Sequence, residues 1–170
     1  MTQKLAAISW LLLFLLSVQC FAGHEAWALS ESYKRSFQRQ LHFIISKHPK
    51  YTWGGAEDIE KGLDCSGYIF LAAKWAAIPG ITRTTANRMA LGMGGWVGRE
   101  IGLNDADKCD LAFWTFTTGR PHGHTGVFLG DREGRQEVTH ASPHSGVVVD
   151  RLDGPLLRNL TRVRRLTIGD

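Results

Sequence analysis

The sequence predicts an α+β fold, in which N-terminal helices pack on a mainly antiparallel sheet of about five strands. Two observations support this class. Apolar residues recur at helical spacing soon after residue 30, whereas short β-prone runs separated by turn residues follow residue 109. The chain has 170 residues, of which 44% are hydrophobic, which is enough for one globular core but too short for two large domains.

The first 22 residues differ in composition from the rest. Lys4 provides a positive start, the uncharged apolar run LAAISWLLLFLLSV follows, and small residues stand at Cys20 and Ala22. This layout is typical of a secretory signal peptide that is cleaved after Ala22. We therefore expect residues 1–22 to be removed and residues 23–170 to form a single domain in the periplasm or outside the cell.

Two alternatives to a cleaved leader stay open. The apolar run is short for a retained membrane anchor, which needs about 20 apolar residues, so we expect no stable membrane insertion of the mature protein. A membrane lipoprotein would be anchored through Cys20, but Gln19 stands where such signals normally have a small residue. Cleavage after Ala22 would leave two cysteines, Cys65 and Cys109.

The charge of the chain argues against a nucleic-acid partner. The formal net charge is +4, and the arginines that gather near the C-terminal end have no aromatic stacking motif beside them. These arginines are Arg158, Arg162, Arg164 and Arg165. We expect no nucleic acid and no cofactor, and the sequence makes no prediction of an oligomeric state.

Residues 30–48 predict an amphipathic helix. Its apolar face is formed by Phe37, Leu41, Ile44 and Ile45, at positions i, i+4, i+7 and i+8. Ser30 or Ser32 caps its start, and Pro49 follows its end. A short extended segment, YTWGG, comes next, and its glycines permit tight backbone geometry.

Two shorter helices are expected before the strands. Asp64 predicts the N-cap of a helix formed by CSGYIFLAAKWAAI and ended by Pro79. A third helix is expected to begin at Thr84 or Thr85 and to run through ANRMALGM. The segment LGMGGWVGREIG holds too many glycines to predict a regular element.

Five β-prone runs occupy the C-terminal part of the chain. They are DLAFWTF, HTGVFLG, QEVTHAS, GVVVDRL and TRVRRLTI. The segment GDREGRQ predicts a hairpin turn between the second and third runs, so these two strands are expected to be antiparallel neighbours. Because helices precede strands rather than alternate with them, we expect the helices on one face of the sheet.

Cys65 is the first candidate for chemistry. A helix that begins at Asp64 or Cys65 places the thiol in its first turn, where unpaired N–H groups and the helix dipole favour the thiolate, the attacking species. Gly67 leaves room for the close approach of another segment or of a substrate. Three other roles stay open: a buried structural cysteine, a disulfide partner of Cys109 and a metal ligand.

His124 and His140 are the candidates for a base and for the group that orients it. His124 opens one β-prone run and His140 closes the next, with residue 132 of the predicted turn midway between them. If they are cross-strand partners, their side chains lie about 5 Å apart on one face of the sheet. His140 would then bind one ring nitrogen of His124 and leave the other facing Cys65.

The remaining histidines and the tryptophans are expected to play structural roles. His122 and His144 would complete a metal site, but the chain has no CxxC-type pair, so we predict no metal and place both at the cleft edge or surface. Core positions are expected for Trp53, Trp75 and Trp114. For Trp96, in the glycine-rich segment, both a core role and a substrate role stay open.

The motifs YTWGG, GLDCSGYIF, RTTANRM, CDLAFW, HTGVFLG and THAS…GVVV, in this order, resemble the NlpC-type cell-wall cysteine peptidases. The resemblance runs from about Tyr51 to the last strand and implies a papain-like α+β fold. It implies Cys65 as nucleophile, His124 as base and His140 as the polar third member. Tyr51 would lie beside the nucleophile and assist with the oxyanion, and Ser66 joins it as a predicted oxyanion or substrate contact.

The resemblance implies a secreted cysteine peptidase that hydrolyses amide bonds in peptidoglycan stem peptides through a Cys-His-His triad and an acyl-enzyme. The expected bond is the γ-D-glutamyl–diaminopimelate link. Two alternatives stay open: an acyl or lipid transferase on a related fold, in which a histidine often precedes the cysteine, and an inactive cell-wall-binding module. Here the cysteine comes first and all three polar positions are filled. One departure is Cys109, which stands where the family has glycine before Asp-Leu.

Overall fold

The computed structural model describes residues 29–167 and contains four α-helices within that range. They are α1 (Glu31–Ser46), α2 (Cys65–Trp75), α3 (Ala86–Ala90) and α4 (Gly154–Asn159). The predicted signal peptide, its cleavage at Ala22 and the alternative anchor at Cys20 lie outside the described residues. Within residues 29–167, no helix combines the length and the apolar character that crossing a membrane requires.

Six strands form a single antiparallel sheet in the described part of the chain. They are β1 (Val97–Ile101), β2 (Leu111–Trp114), β3 (His124–Arg132), β4 (Arg135–Ser142), β5 (Gly146–Arg151) and β6 (Leu160–Leu166), in the spatial order β1-β6-β2-β3-β4-β5. The predicted α+β class is confirmed. Strands β2 to β6 correspond to the five β-prone runs, and the hairpin between β3 and β4 lies in the predicted turn.

The additional strand, β1, corrects the prediction that the glycine-rich segment LGMGGWVGREIG forms no regular element. The glycines that precede the strand have left-handed φ angles and form the turn that leads into it; they are Gly92, Gly94 and Gly95. Gly98, inside the strand, packs so closely on Thr167 that an added Cβ would overlap the threonine side chain. The strand forms because β6 supplies its pairing partner, which local composition does not reveal.

The helix starts agree with the predicted caps. Ser30 caps α1, Asp64 caps α2 and Thr85 caps α3, and each side chain accepts a hydrogen bond from the backbone N–H three residues on. Helix α2 ends at Trp75, earlier than the proline that was expected to stop it, because Ala77 adopts a left-handed φ of +56°.

Helices α1–α3 cover one face of the sheet and form the larger core. Its bulkiest members are Phe37, Leu41, Tyr68, Trp96 and Phe113. The other face carries a smaller cluster formed by Ala112, Trp114, Phe128, Val138 and Val163, against which Leu156 of α4 packs. The prediction that the helices lie on one face of the sheet is therefore correct for α1–α3 and wrong for α4, which packs on the opposite face. Helix α4 has only six residues, too few for a clear helical period.

A β-bulge interrupts the pairing of β3 with β4. On the turn side of the bulge Gly130 is opposite Glu137, whereas beyond it Phe128 is opposite Val138. Leu129 is therefore an extra residue on β3. Because side chains alternate between the two faces of a strand, one extra residue moves every following side chain on β3 to the other face.

The bulge decides which residues share a face with His140. Beyond it His140 is opposite Gly126, not opposite His124 as predicted, so the expected register is wrong by two residues. Without the extra residue His140 would be opposite Val127, and His124 would point to the other face. With it, His124 and His140 are diagonal neighbours on the same face, as the predicted contact requires.

Candidate active site

Cys65 is the first residue of α2 and is only 5% exposed. Gly67 lies in the same helical turn, and a Cβ added there would overlap the backbone carbonyl oxygen of Gly55. The close approach that Gly67 was expected to permit is therefore confirmed, and the approaching segment is the YTWGG loop. This contact holds the loop that begins at Tyr51 against the start of α2.

The Asp64 carboxylate organises the start of α2. Its Oδ2 accepts hydrogen bonds from the Gly54 N–H at 3.0 Å and from Nη2 of Arg83 at 2.7 Å, and its Oδ1 accepts one from Oγ of Ser66 at 2.9 Å. Nη1 of Arg83 also donates to the Ser66 hydroxyl, at 2.8 Å. The Ser66 hydroxyl is thus occupied, and only its backbone N–H faces Cys65. Arg83 is the first residue of the motif RTTANRM, but its contact with Asp64 was not predicted from the sequence.

Burial raises the pKa of the Cys65 thiol to about 11, and the negative charge of Asp64 adds to this effect. Hydrogen bonds from the backbone N–H groups of Thr125 and Ser66, and the charge of Arg83, favour the thiolate without offsetting burial. The burial of Cys65 therefore opposes the thiolate that the helix start was expected to favour. At neutral pH the sulfur carries a proton, so it needs a base when it attacks.

His124 is positioned to be that base. Its Nε2 lies 2.9 Å from Nδ1 of His140, and the Trp114 ring packs beside both imidazoles, with ring centroids 5.6 and 6.0 Å away. The predicted contact between the two histidines is confirmed, and it leaves Nδ1 of His124 for Cys65. The sulfur lies beside this residue, because it accepts a hydrogen bond from the N–H of Thr125, the next residue in the chain.

The ionisation of His124 matches the state of the thiol. Burial, together with a smaller contribution from the neighbouring His140, lowers the pKa of His124 to about 3. The ring is thus neutral across the physiological range, and a neutral imidazole has a lone pair that accepts a proton. Both pKa shifts favour the neutral pair, a thiol beside an uncharged imidazole.

Asp150 extends this arrangement and was missed in the sequence. Its Oδ2 lies 2.9 Å from Nε2 of His140. A signal was present, since Asp150 lies on the β-prone run that follows the one containing His140. The pairing of His140 with Val148 puts Asp150 two residues away on the same face, and finding it required the register of that second hairpin.

Tyr51 lies in the same cleft as the two histidines. An isolated parallel bridge joins Tyr51 to Leu63, two residues before Cys65. The pKa of Tyr51 is raised to about 12, mainly by burial, with smaller contributions from the Cys65 thiolate that forms at alkaline pH and from the Asp64 carboxylate, whereas Arg120 opposes the shift. The phenol therefore stays protonated at neutral pH and can donate a hydrogen bond.

A cleft of about 440 Å³ opens on the two histidines. Its walls include Tyr51, Trp53, Phe116, Arg120, His124 and His140. Trp53 is 74% exposed, so its predicted core position is wrong, and the guanidinium of Arg120 lies over its ring at 5.3 Å from the centroid. The Phe116 ring lies 5.7 Å from that of His124. Among the described residues that line this cleft there is no Asp or Glu.

The other predicted residues divide between core and surface. Trp114 and Trp96 are fully buried. Trp75 is 40% exposed, so its predicted core position is wrong. His144 lines the cleft, and His122 binds the Thr161 hydroxyl at 2.8 Å through its Nδ1 atom. Residues 29–167 contain no cluster of three or more His, Cys, Asp or Glu side chains suited to a metal ion.

Cys109 does not pair with Cys65. Both cysteines are free and buried, so the disulfide alternative is not supported. The Cys109 thiol faces the backbone carbonyl of Lys34 in α1, at 3.6 Å. Cys109 has a φ of +75°, the left-handed region that glycine adopts without strain, which explains why glycine suits this position in the resembling motif.

A family model for the NlpC/P60 family matches residues 48–165, most of the chain and every predicted site residue. The chain belongs to the NlpC/P60 family. Members of this family are generally cell-wall peptidases, so the resemblance inferred from the motifs is confirmed at that level. None of the curated proteins matches this chain significantly.

Solved structures of NlpC/P60 proteins share the fold. A protein described as similar to a lipoprotein of the NLP/P60 family, from Staphylococcus aureus subsp. aureus Mu50, is 20% identical with a TM-score of 0.61, covering 82% of this chain and 43% of its own. NlpC2 from Trichomonas vaginalis is 22% identical with a TM-score of 0.58, covering 78% of this chain and 46% of its own. NlpC1 from the same organism is 21% identical, with a TM-score of 0.57, covering 77% of this chain and 44% of its own. This NlpC/P60 chain thus spans less than half the length of each of these structures.

Proposed function

We propose that the protein is a cysteine peptidase that hydrolyses an amide bond in peptidoglycan stem peptides. Cys65 is the nucleophile, His124 the base and His140 the residue that orients it. The observation that carries the proposal is the 2.9 Å contact between Nε2 of His124 and Nδ1 of His140, at the base of an open cleft and beside the Cys65 sulfur.

The first step follows from the resting ionisation of the pair. The thiol of Cys65 attacks the amide carbonyl carbon while its proton moves to Nδ1 of His124, because neither group is charged beforehand. The carbonyl π electrons move to its oxygen, which becomes an oxyanion. Backbone N–H groups at the start of α2 and the protonated hydroxyl of Tyr51 are suited to stabilise that charge.

The second step releases the two products in turn. The imidazolium of His124 gives its proton to the leaving amine as the C–N bond breaks, and the acyl group stays on the Cys65 sulfur as a thioester. A water molecule then attacks the thioester carbonyl and loses a proton to His124. Collapse of this intermediate breaks the C–S bond, frees the acid and returns the proton to the sulfur.

The charge of the cleft supports the γ-D-glutamyl–diaminopimelate bond as the target. A γ-linked glutamate keeps its α-carboxylate free, three carbons from the scissile carbonyl. The guanidinium of Arg120 is a positive charge in a cleft whose described lining has no acidic residue. It also lowers the pKa of the Tyr51 hydroxyl, which Cys65 raises, so Arg120 lies close to the proposed reaction centre. A guanidinium binds a carboxylate with two parallel hydrogen bonds, which suits this substrate group.

Export fits this substrate, since peptidoglycan lies outside the cytoplasmic membrane. We therefore propose that residues 1–22 direct the protein to the periplasm or the medium and are cleaved after Ala22. N-terminal sequencing of the protein recovered from cell fractions tests this: a start at Gly23 is expected. A start at Met1, or a lipid mass on Cys20, would contradict this localisation.

The bond is located by digesting purified peptidoglycan with the protein and measuring the masses of the released fragments. Cleavage at the proposed bond leaves muropeptides that end in D-glutamate and frees peptides that begin with diaminopimelate. A Cys65→Ala variant serves as the control for contaminating hydrolases. Fragments cut elsewhere in the stem would correct the bond, and an unchanged muropeptide profile would remove the peptidase proposal.

A further inference from the structure

His140, the second histidine of the site, is not the end of its hydrogen-bonded chain. Nε2 of His140 lies 2.9 Å from Oδ2 of Asp150, on the side of the ring away from His124. His140 is 6% exposed, whereas the side chain of Asp150 is 51% exposed. The chain of contacts therefore runs from the buried dyad to a carboxylate at the protein surface.

We propose that Asp150 is a positioning residue that selects the tautomers of both histidines, so that Nδ1 of His124 faces Cys65 without a proton. The effect of these tautomers on catalysis rests on the proposed function. The tautomers themselves are a property of the protein without substrate and do not depend on that function.

The assignment follows from the donors and acceptors that each group has. A carboxylate only accepts, so when His140 carries a single ring proton, that proton lies on Nε2 and is donated to Asp150. Nδ1 of His140 is then an acceptor, and Nε2 of His124 donates to it across 2.9 Å. Neutral His124 has only one ring proton, so its Nδ1 is left as a lone pair.

The alternative tautomers would disable the base. If His140 carried its proton on Nδ1, that nitrogen would donate to Nε2 of His124 and place the proton of His124 on Nδ1. The imidazole would then present an N–H to the Cys65 thiol and could not accept the proton of the attacking sulfur. His140 alone does not choose between the two states, since a neutral imidazole donates or accepts at either nitrogen.

Asp150 also acts after the proton moves. When His124 becomes an imidazolium, its Nε2–H bond to His140 strengthens, and His140 is held as an acceptor by the negative charge behind it. A neutral residue at position 150 would give up that charge. An asparagine would also allow its amide to donate to Nε2 of His140, which selects the disabling tautomers.

The variants separate tautomer selection from a merely structural contact. Asp150→Asn and Asp150→Ala are expected to lower kcat by roughly 10²–10⁴-fold on a stem peptide, with a smaller change in KM. Asp150→Glu restores a carboxylate and should recover most of the activity. Asp153→Asn is the matched control, because Asp153 is exposed and makes no capping hydrogen bond in the following helix.

The decisive readout is the tautomer itself, measured by long-range ¹H–¹⁵N correlation spectra of histidine-labelled protein at mildly alkaline pH. Spectra of His124→Ala and His140→Asn assign the two rings. In wild type and Asp153→Asn, both histidine rings are expected to carry their proton on Nε2. In Asp150→Asn and Asp150→Ala, both rings are expected to lose this Nε2–H tautomer. Nδ1–H at His124 in wild type, or unchanged tautomers in both Asp150 variants, would overturn the proposal. These spectra need no substrate, so a protein that cleaves no stem peptide but shows these tautomers would contradict only the proposed function.

Discussion

His124 and His140 are in hydrogen-bond contact, 2.9 Å apart, although neither is the cross-strand partner of the other. His140 is opposite Gly126, and His124 is opposite Trp114 on the neighbouring strand. The contact is a diagonal one that depends on the extra residue in β3. The contact between the two histidines therefore depends on how β3 pairs with β4, as well as on which residues stand at positions 124 and 140.

Substitution of the two histidines should have unequal effects on activity. His124→Ala is expected to lower kcat by about 10²–10⁴-fold, because it removes the group that performs every proton transfer. His140→Asn should lose less, since an amide oxygen can still accept from Nε2 of His124. His122→Ala is the control, because His122 is bound to Thr161 and is not among the cleft residues. Equal losses in His122→Ala and His124→Ala would contradict these roles, as would inactivation of the wild type by a chelator.

Gly126→Ala should destabilise the protein and impair the dyad together. An added Cβ would lie 2.6 Å from the carbonyl oxygen of Thr139 and 3.0 Å from Cβ of His140, so the two strands must move apart. Overpacking of this kind lowers the free energy of unfolding by about 1–3 kcal/mol. Gly119→Ala is the matched control, since nothing lies within 4 Å of the added atom. Urea unfolding curves compare the two variants, and equal midpoints would show that β3 and β4 are not closely packed at Gly126.

Alkylation of Cys65 should become faster as the pH rises through the alkaline range. Only the thiolate reacts, and burial raises the pKa of this thiol to about 11, so the reactive fraction is small at neutral pH. Cys109 should react more slowly, because burial raises its pKa to about 12 and it is 2% exposed. Mass spectrometry after timed iodoacetamide treatment measures both rates. A Cys65 rate that is already maximal at mildly acidic pH would show a resting thiolate–imidazolium pair instead.

Arg120 should discriminate between substrates that differ in one carboxylate. The test pair is a stem peptide with a γ-linked D-glutamate and the same peptide with its α-carboxylate amidated. The wild type is expected to bind the acid about tenfold more tightly, the value of one hydrogen bond to a charged group. Arg120→Ala should bind both peptides equally, and Arg39→Ala, an exposed arginine on α1, should keep the preference. Calorimetry in a Cys65→Ala background measures these affinities without cleavage, and a preference that survives Arg120→Ala would assign the carboxylate to another group.

Much of this architecture is readable in the sequence because it rests on local signals. The caps at Ser30, Asp64 and Thr85 require only a side-chain oxygen before a helix, and all three are in place. The predicted contact of His124 with His140 required only a turn and the alternation of side chains. It was reached with the wrong register, since an error of two residues preserves the face.

What the sequence did not reveal depends on distant parts of the chain. Strand β1 exists because β6 pairs with it, and Arg83 reaches Asp64 from a loop 19 residues away. The helix-start effect on Cys65 is local and visible in the sequence, whereas the burial that raises the pKa of its thiol is a property of the whole fold. Trp53 was assigned to the core because a large apolar ring is usually buried, but it lines the cleft beneath Arg120.

The most direct test of the account is the cleavage of one defined peptide, L-alanyl-γ-D-glutamyl-diaminopimelate, by the wild type and by Cys65→Ala. The wild type is expected to release free diaminopimelate and the dipeptide L-alanyl-D-glutamate, both identified by mass. Cys65→Ala should release neither while keeping the folded far-ultraviolet spectrum of the wild type. Equal product formation by the two proteins, or none by a folded wild type, would contradict the claim that Cys65 attacks this bond.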